Sequence, residues 1–198
     1  MQKIIPEHLL LEFGGKLIKY KKNTAIFDQG SKALNYYQVK SGEVKMVNYS
    51  PEGQEFIQGF FKEGQSFGEP PLFAHFPYPA SAICTQDSSV YKLTKDHFFS
   101  LLEEHFEIHK RFNGLLSQRL QYKGMILNEI SSHPPEHRIL TLISFLKDSF
   151  SPEGEFTVPY TRQQIADMTG LRVETVIRSV RKMEEAGEVK IENHKIVI

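Results

Sequence analysis

Between Leu17 and Thr94 apolar and polar residues alternate over short stretches that end in glycine turns. Gly30, Gly42, Gly53 and Gly64 fall 12, 11 and 11 residues apart. Residues 36–40 run into Ser41-Gly42, residues 43–49 into Ser50-Pro51-Glu52-Gly53, and residues 54–61 follow. Alternation places one face of a strand in a core and the other in water. Strands repeated at this spacing predict an antiparallel barrel or roll.

The period changes at Leu93-Thr94-Lys95-Asp96. Phe98, Phe99, Leu101 and Leu102 fit one face of a helix, and after His105 a longer run follows. Ile108, Phe112, Leu115, Leu116, Leu120, Leu127 and Ile130 recur mostly at steps of three, four and seven. A continuous helix over 106–131 would extend about 39 Å, too far to be covered by one small roll. Gly114 and Gly124 each weaken it by about 1 kcal/mol relative to alanine. It is either a core helix of one subunit or a two-fold seam between subunits. Ser132-His133-Pro134-Pro135 stops it, because proline cannot continue the hydrogen-bond ladder. A further helix opens at Glu136, with Ile139, Leu142, Ile143 and Leu146 inward. Ser151-Pro152-Glu153-Gly154 reads as a turn and Phe156-Thr157-Val158-Pro159 as a short strand. The expected class is α+β, with a roll over 1–105, a long helix over 106–132 and a third domain over 133–198.

That third domain carries the most specific pattern. Thr161 suits a helix N-cap, Ile165 and Met168 share a face, and Gly170 sits where the helix must stop. A second helix then places Val173, Val176, Ile177 and Val180 inward or toward its start. Arg172, Glu174, Thr175, Arg178, Arg181 and Lys182 remain outside, so that residues 172–182 carry four basic side chains and one acid. After Gly187, residues 188–198 read as two strands around Asn193-His194. Helix, turn, helix and hairpin make a winged helix-turn-helix. Arginine can donate twice to guanine, glutamate can accept from cytosine, and threonine can reach base or phosphate. The competing reading is a helical hairpin with a solvated charged face.

Composition narrows the class. The 198 residues carry 24 basic and 24 acidic side chains, which argues against a general nucleic-acid coat but allows a local basic surface. The single cysteine, Cys84, permits no internal disulfide framework and suggests a reducing compartment. No apolar run approaches membrane-spanning length and the first residues do not read as a secretion signal, so a soluble, cytoplasmic chain with no membrane partner is expected. An enzyme would need a nucleophile–base pair, a metal cluster or paired carboxylates. Ser81, Cys84, His75 and Glu69 are near in sequence, but no catalytic spacing relates them.

Thr161-Arg162-Gln163-Gln164-Ile165-Ala166, Gly170, Glu174-Thr175-Val176, Arg178, Met183-Glu184 and Ile196-Val197-Ile198 resemble the DNA-binding domain of the Crp/Fnr family of bacterial regulators. Phe27-Asp28-Gln29-Gly30, Ser41-Gly42-Glu43-Val44, Gly64-Gln65-Ser66-Phe67-Gly68-Glu69 and Ser81-Ala82-Ile83-Cys84-Thr85 resemble its cyclic-nucleotide-binding jelly roll. The resemblance implies a non-enzymatic transcription regulator, a homodimer through the long helix, on a palindromic operator in double-stranded DNA, with RNA polymerase as partner. It implies base contacts around Arg172, Val173, Glu174, Thr175 and Arg178, and phosphate contacts at Thr161, Arg162 and Gln163. Phe67, Gly68, Glu69, Ser81 and Lys123 become the effector-pocket candidates, with Glu69 on a ribose hydroxyl. The chain departs from the pattern at the phosphate. Pro79 stands where the family places an arginine, no lysine or arginine lies between Lys62 and Lys92, and Lys123-Gly124 replace the polar pair on the purine side. Cyclic AMP is therefore not the expected effector, although Lys123 could reach a phosphate from the helix side. Phe67, Phe73, Phe76 and Tyr78 either line a cavity for a less charged, unidentified small molecule or fill it. A cyclic-nucleotide-responsive regulator and a small-molecule-binding or enzymatic roll remain the alternatives. One cysteine cannot hold an iron–sulfur cluster, and no spacing marks His75, His97, His105 or His109 as a haem ligand. No cofactor or metal is expected.

Overall fold

The computed structural model describes residues 3–51, 53, 55–150 and 153–198, and within these not the side chains of residues 130, 131, 149 and 150. The chain forms two compact units, one ending at Gln118 and the other running from Arg119 to Ile198.

In the first unit a short helix, α1 (Glu7–Glu12), precedes β1 (Lys16–Tyr20), β2 (Ala25–Phe27), β3 (Asn35–Ser41), β4 (Val44–Tyr49), β5 (Glu55–Phe61) and β6 (Ser66–Phe67). A short α2 (Pro70–Ala74), β7 (Ser81–Cys84), β8 (Ser88–Thr94) and α3 (Lys95–Glu104) follow. The strands form two four-stranded antiparallel sheets, ordered β1-β8-β3-β6 and β2-β7-β4-β5. The first strand of this unit pairs with its last, Lys16 opposite Lys92, and most neighbours in both sheets are non-consecutive strands, the crossovers of a jelly roll. α1 has no counterpart in the sequence reading; at six residues it is too short for a helical period to register.

β3 is buried on both faces. Tyr37 points into the roll against Phe27 and Phe67. Tyr36 points the other way, where it stacks on Phe98 at 4.7 Å and meets Phe112 edge-on. This second core also holds Ile5, Leu10, Leu72, Leu101 and Ile108. Gln38 is 1% exposed yet satisfied. It accepts from Ile5 N–H and the Tyr36 hydroxyl, and donates to Ile5 C=O.

The long helix α4 (Phe106–Ser132) runs through the boundary between the units. Its hydrophobic run does two jobs. Ile108 and Phe112 are buried in the core of the first unit and Leu115 packs against it, whereas Leu120 and Leu127, seven residues apart, are 72% and 69% exposed. The Ile130 side chain lies outside the described residues.

The second unit contains α5 (Pro135–Phe150), α6 (Arg162–Thr169), α7 (Val173–Glu185) and a hairpin of β9 (Lys190–Glu192) and β10 (Lys195–Val197). Ile139, Leu142, Ile143 and Leu146 of α5 are buried, as expected, with Ile165, Val176, Val180 and Met183. Tyr122 of α4 stacks on Phe145 at 4.3 Å. Of the expected turn at 151–154, Ser151 and Pro152 lie outside the described residues. The expected strand at 156–159 is reduced to one bridge, Thr157 to Val197, flanked by backbone bonds of Phe156 to Ile198 and Val158 to Ile196. Pro159 offers no donor to extend it.

Glu7 ties α1 to the sheet, accepting from Lys3 Nζ (2.7 Å), Lys40 Nζ (2.6 Å) and the Tyr91 hydroxyl (3.0 Å). The lysine hydrogen bonds, aided by Tyr91, hold its carboxyl down to about 2. A folded-state value below the unfolded one stabilises above the ordinary glutamate range, and that contribution is lost as pH falls through the folded value. Glu7→Gln is therefore expected to lower stability at neutral pH and to flatten the loss between about pH 4.5 and pH 2. Denaturant titrations at stepped pH check this; an unchanged acid limb in the variant would refute it.

Candidate nucleic-acid interface

α6 starts with a capping box. The Thr161 hydroxyl accepts from Gln164 N–H (3.2 Å), and the Gln164 side chain accepts from Thr161 N–H (2.9 Å). It ends at Gly170, whose φ of +67° is left-handed, and Leu171 N–H returns to Ala166 C=O at 3.0 Å. Arg172 then holds the N-cap position of α7, with no side-chain capping bond. The small Ala166 is fully buried beneath it, beside Ile165 and Met168.

The face that α7 buries is Val176, Ser179, Val180 and Met183, steps of three and four. Ile177, expected inward, is 40% exposed. One residue on from Val176 turns the side chain about 100° around the axis, which takes Ile177 off the buried stripe. The inward place goes to Ser179, whose hydroxyl donates to Glu136 Oε1 of α5 at 3.1 Å. Lys182 Nζ reaches the same carboxylate at 3.5 Å. Polar Ser179 gave no hydrophobic signal; only its spacing from Val176 and Met183 could have found it.

Arg172, Glu174, Arg178 and Arg181 are exposed, while Val173 and Thr175 are half-buried. Glu174, Arg178 and Arg181 stand at i, i+4 and i+7, one outward face. Between α7, the start of α6 and the hairpin lies an open cleft of about 240 Å³ lined by Arg162, Ile177, Val180, Arg181, Ile191 and His194. Desolvation there pulls the Arg162 guanidinium below its ordinary value, against the pull of Glu184. It stays charged at neutral pH. Of the three residues expected on phosphate, Arg162 alone enters the cleft. Thr161 spends its hydroxyl on the cap, and Gln163 Nε2 donates along the helix to the buried Asp167 (2.8 Å). At the hairpin tip Asn193 and His194 have φ of +48° and +63°, the signature of a two-residue I′ turn that matches strand twist.

The roll interior is occupied by rings. Phe27 lies on Tyr78 at 3.7 Å and 13°, Phe67 meets Tyr37 and Phe61 at 5.5 and 5.7 Å, and Tyr78 donates to Asn35 C=O (3.0 Å). Burial pushes the Tyr78 phenol up to about 12. Gly68, at φ +77°, passes so close that a Cβ would sit 3.0 Å from the Phe27 ring. Two of the four aromatics expected around this space are elsewhere. Phe73 packs on Phe98, Phe99 and Phe112, and Phe76 is 40% exposed. Both lie on or just after α2, which turns Phe73 toward α3. Glu69 is fully buried. Ser81 accepts from Gln29 N–H (2.9 Å), and the Pro79 carbonyl takes Asn48 Nδ2 at 2.6 Å. Phe67, Gly68, Glu69 and Ser81 belong to the first unit; Lys123 lies exposed on α4 in the second. The residues weighed for catalysis have structural neighbours: His75 Nδ1 meets Lys95 Nζ (2.9 Å), and burial raises the Cys84 thiol, away from the reactive thiolate. Among the described residues no helix is long and apolar enough to cross a membrane.

Comparison with known proteins agrees with both units. A cyclic nucleotide-binding domain model matches residues 17–105 and a Crp-like helix-turn-helix domain model matches residues 137–198. Transcriptional activator protein anr of Pseudomonas aeruginosa is 25% identical over 182 residues, 90% of this chain and 74% of that protein. The cyclic AMP receptor protein of Thermus thermophilus is 25% identical over 173 residues, 87% of this chain and 78% of its own length. The solved structure of the c-di-GMP responsive global regulator CLP of Xanthomonas campestris aligns with TM-score 0.78 at 19% identity, covering 97% of this chain and 99% of that one. At that identity the likeness is one of fold.

Proposed function

The chain belongs to the Crp/Fnr family of transcription regulators, which are not enzymes, and from that premise we propose that it binds a palindromic operator as a homodimer, with α7 in the major groove. The observation that carries this is the outward face of α7. Arg172, Glu174 and Arg178 project at and just after the helix start, while the opposite face is locked down by Val176, Val180, Met183 and the Ser179–Glu136 bond. A recognition helix needs both halves, because bases are read only by side chains held in register. Arg178, with Glu174 one turn before it and Thr175 beside it, is the base reader. Arg172 and Val173 flank them at the groove. Arg162, Arg181 and His194 around the cleft form the phosphate-facing surface, with the backbone N–H groups of Arg162 and Gln163 in the first turn of α6. A regulator of this kind works in the cytoplasm beside the DNA, with RNA polymerase as its partner. Gel shifts against genomic fragments test the reading; no specific duplex bound under any condition would overturn it.

The exposed Leu120 and Leu127 support α4 as the seam between two copies. Their spacing of seven residues matches a coiled-coil repeat, and an added Cβ at Gly114 or Gly124 would meet no neighbour in the chain itself, which leaves room for a close partner.

We further propose that cyclic AMP is not the effector. The ring stack of Phe27, Tyr78, Phe67 and Tyr37 occupies the roll, and the segment from 63 to 91 supplies no cation for a phosphate. An uncompensated buried phosphate is costly. One charge-assisted hydrogen bond donated by a ribose hydroxyl to Glu69, about 1.5–3 kcal/mol, does not offset it. An uncharged, unidentified small molecule or no effector fits this interior better.

Three measurements bear on these readings. Arg178→Ala is expected to cost about 1–3 kcal/mol at one base pair per half-site, whereas Arg162→Ala should weaken all sequences alike; a uniform loss for Arg178→Ala would reduce it to a phosphate contact. Leu120→Glu should give monomers by sedimentation and abolish binding to the full palindrome, so intact dimers would remove the seam. Calorimetry with cyclic AMP and cyclic GMP should detect no binding tighter than millimolar, and a micromolar dissociation constant for either would reverse the effector assignment.

A further inference from the structure

The second unit brings together three side chains that DNA binding does not use. Glu129 lies near the end of α4, His133 just past its last residue, and His137 in the first turn of α5. His133 N–H still bonds to Glu129 C=O at 3.1 Å, so the helical turn places His133 above Glu129. Pro134 separates the two helices, and α5, which starts at Pro135, brings the His137 side chain to the same carboxylate. His137 Nδ1 lies 2.6 Å from Glu129 Oε2, and His133 Nε2 lies 4.0 Å from Glu129 Oε1. One donor atom from each residue falls within 4.8 Å of the others. The carboxylate is nearly enclosed, at 8% exposure, while the His137 side chain is half open to solvent.

We propose that Glu129, His133 and His137 form a binding site for one first-row divalent transition metal of the zinc type. Two imidazoles and one carboxylate are the donor set that zinc and its neighbours take, with a fourth position left to water. Calcium and magnesium ask for oxygen ligands in greater number. The required movement is small. Tetrahedral bonds of about 2.05 Å put donor atoms about 3.3 Å apart. The His137–Glu129 pair opens from 2.6 Å to that distance, and the other donor pairs close from separations of no more than 4.8 Å. The two rings, now face to face at 4.1 Å, rotate about χ2 as they do so. The ion takes the place of the hydrogen bond between His137 and Glu129, and each imidazole binds as the neutral tautomer whose N–H is on the other ring nitrogen. Arg138 Nε holds His133 C=O at 2.8 Å, which fixes the backbone beside that ligand.

The sequence reading expected no metal. The Glu-x3-His-x3-His spacing at 129, 133 and 137 is interrupted by two prolines, which argue against one continuous helix. The site would tie the end of α4 to the start of α5 at the residue next to Glu136, the group that holds Ser179 and Lys182 of α7.

The test is a titration of the full chain, stripped with a chelator, with Zn²⁺ by calorimetry and with Co²⁺ by its visible d–d absorption. One equivalent per chain is expected, with a rise in melting temperature and no competition from millimolar Mg²⁺. His133→Gln and His137→Gln should each weaken binding by more than about tenfold. Glu129→Gln should do the same, but its carboxylate is buried, so the half-exposed histidine variants decide the question; their melting temperatures in chelator should match the parent. No saturable uptake, or uptake unchanged in both histidine variants, would overturn the site.

Discussion

Adjacent residues on one strand support both cores of the first unit. Tyr36 and Tyr37 are neighbours on β3, and the pleat sends them to opposite sides, one toward α3 and α4 and the other into the roll. A slip of one residue in the β3 register would exchange them and empty both cores at once. The register is held by β8, Tyr36 opposite Leu93 and Tyr37 opposite Lys92, and by the Gln38 amide, which fixes Ile5 and the N-terminal helix to the same strand. The helices are therefore coupled to the roll through a strand with no wet face.

The same packing sets the character of the roll. Large aromatic side chains each bury about 150–250 Å², and truncating one in a core costs about 3–5 kcal/mol. A ligand that displaces such rings must return that stabilisation through its own contacts. A phosphate brings a charge in addition, and fixed cations have to meet it before binding can gain. At Pro79 the chain presents a backbone carbonyl held by Asn48, which also hydrogen-bonds Gln29 and Gln58. This is a neutral polar network that suits strand cohesion rather than anion capture.

Much of this was legible in the residues. Glycine spacing located the roll, the proline pair ended the long helix, and Thr161 and Gly170 bracketed α6 as their chemistry requires. What escaped shares a cause: it depends on which neighbour a side chain meets. Ser179 rather than Ile177 lies on the buried stripe of α7, where Glu136 of α5 accepts its hydrogen bond, and a hydrophobicity pattern cannot report a polar side chain that is satisfied inside. Phe73 was expected to line or fill the roll cavity with Phe67, Phe76 and Tyr78, but the turn of α2 delivers it to Phe98. The run along α4 looked uniform although its first part serves a core within the unit and its later leucines are exposed. Among the site residues, the outward positions of Arg172, Glu174 and Arg178 were readable from helical period, whereas the engagement of Gln163 by Asp167 was not.

The hairpin tip has a consequence for how the second unit meets a rigid surface. Asn193 and His194 hold consecutive left-handed backbone conformations without glycine, a state of low population for ordinary residues. Its strain is met once, during folding, and the backbone freedom is already gone. A glycine loop at this place would lose that freedom anew at each docking event. The wing is thus a preorganised prong whose association carries little further loss of backbone entropy.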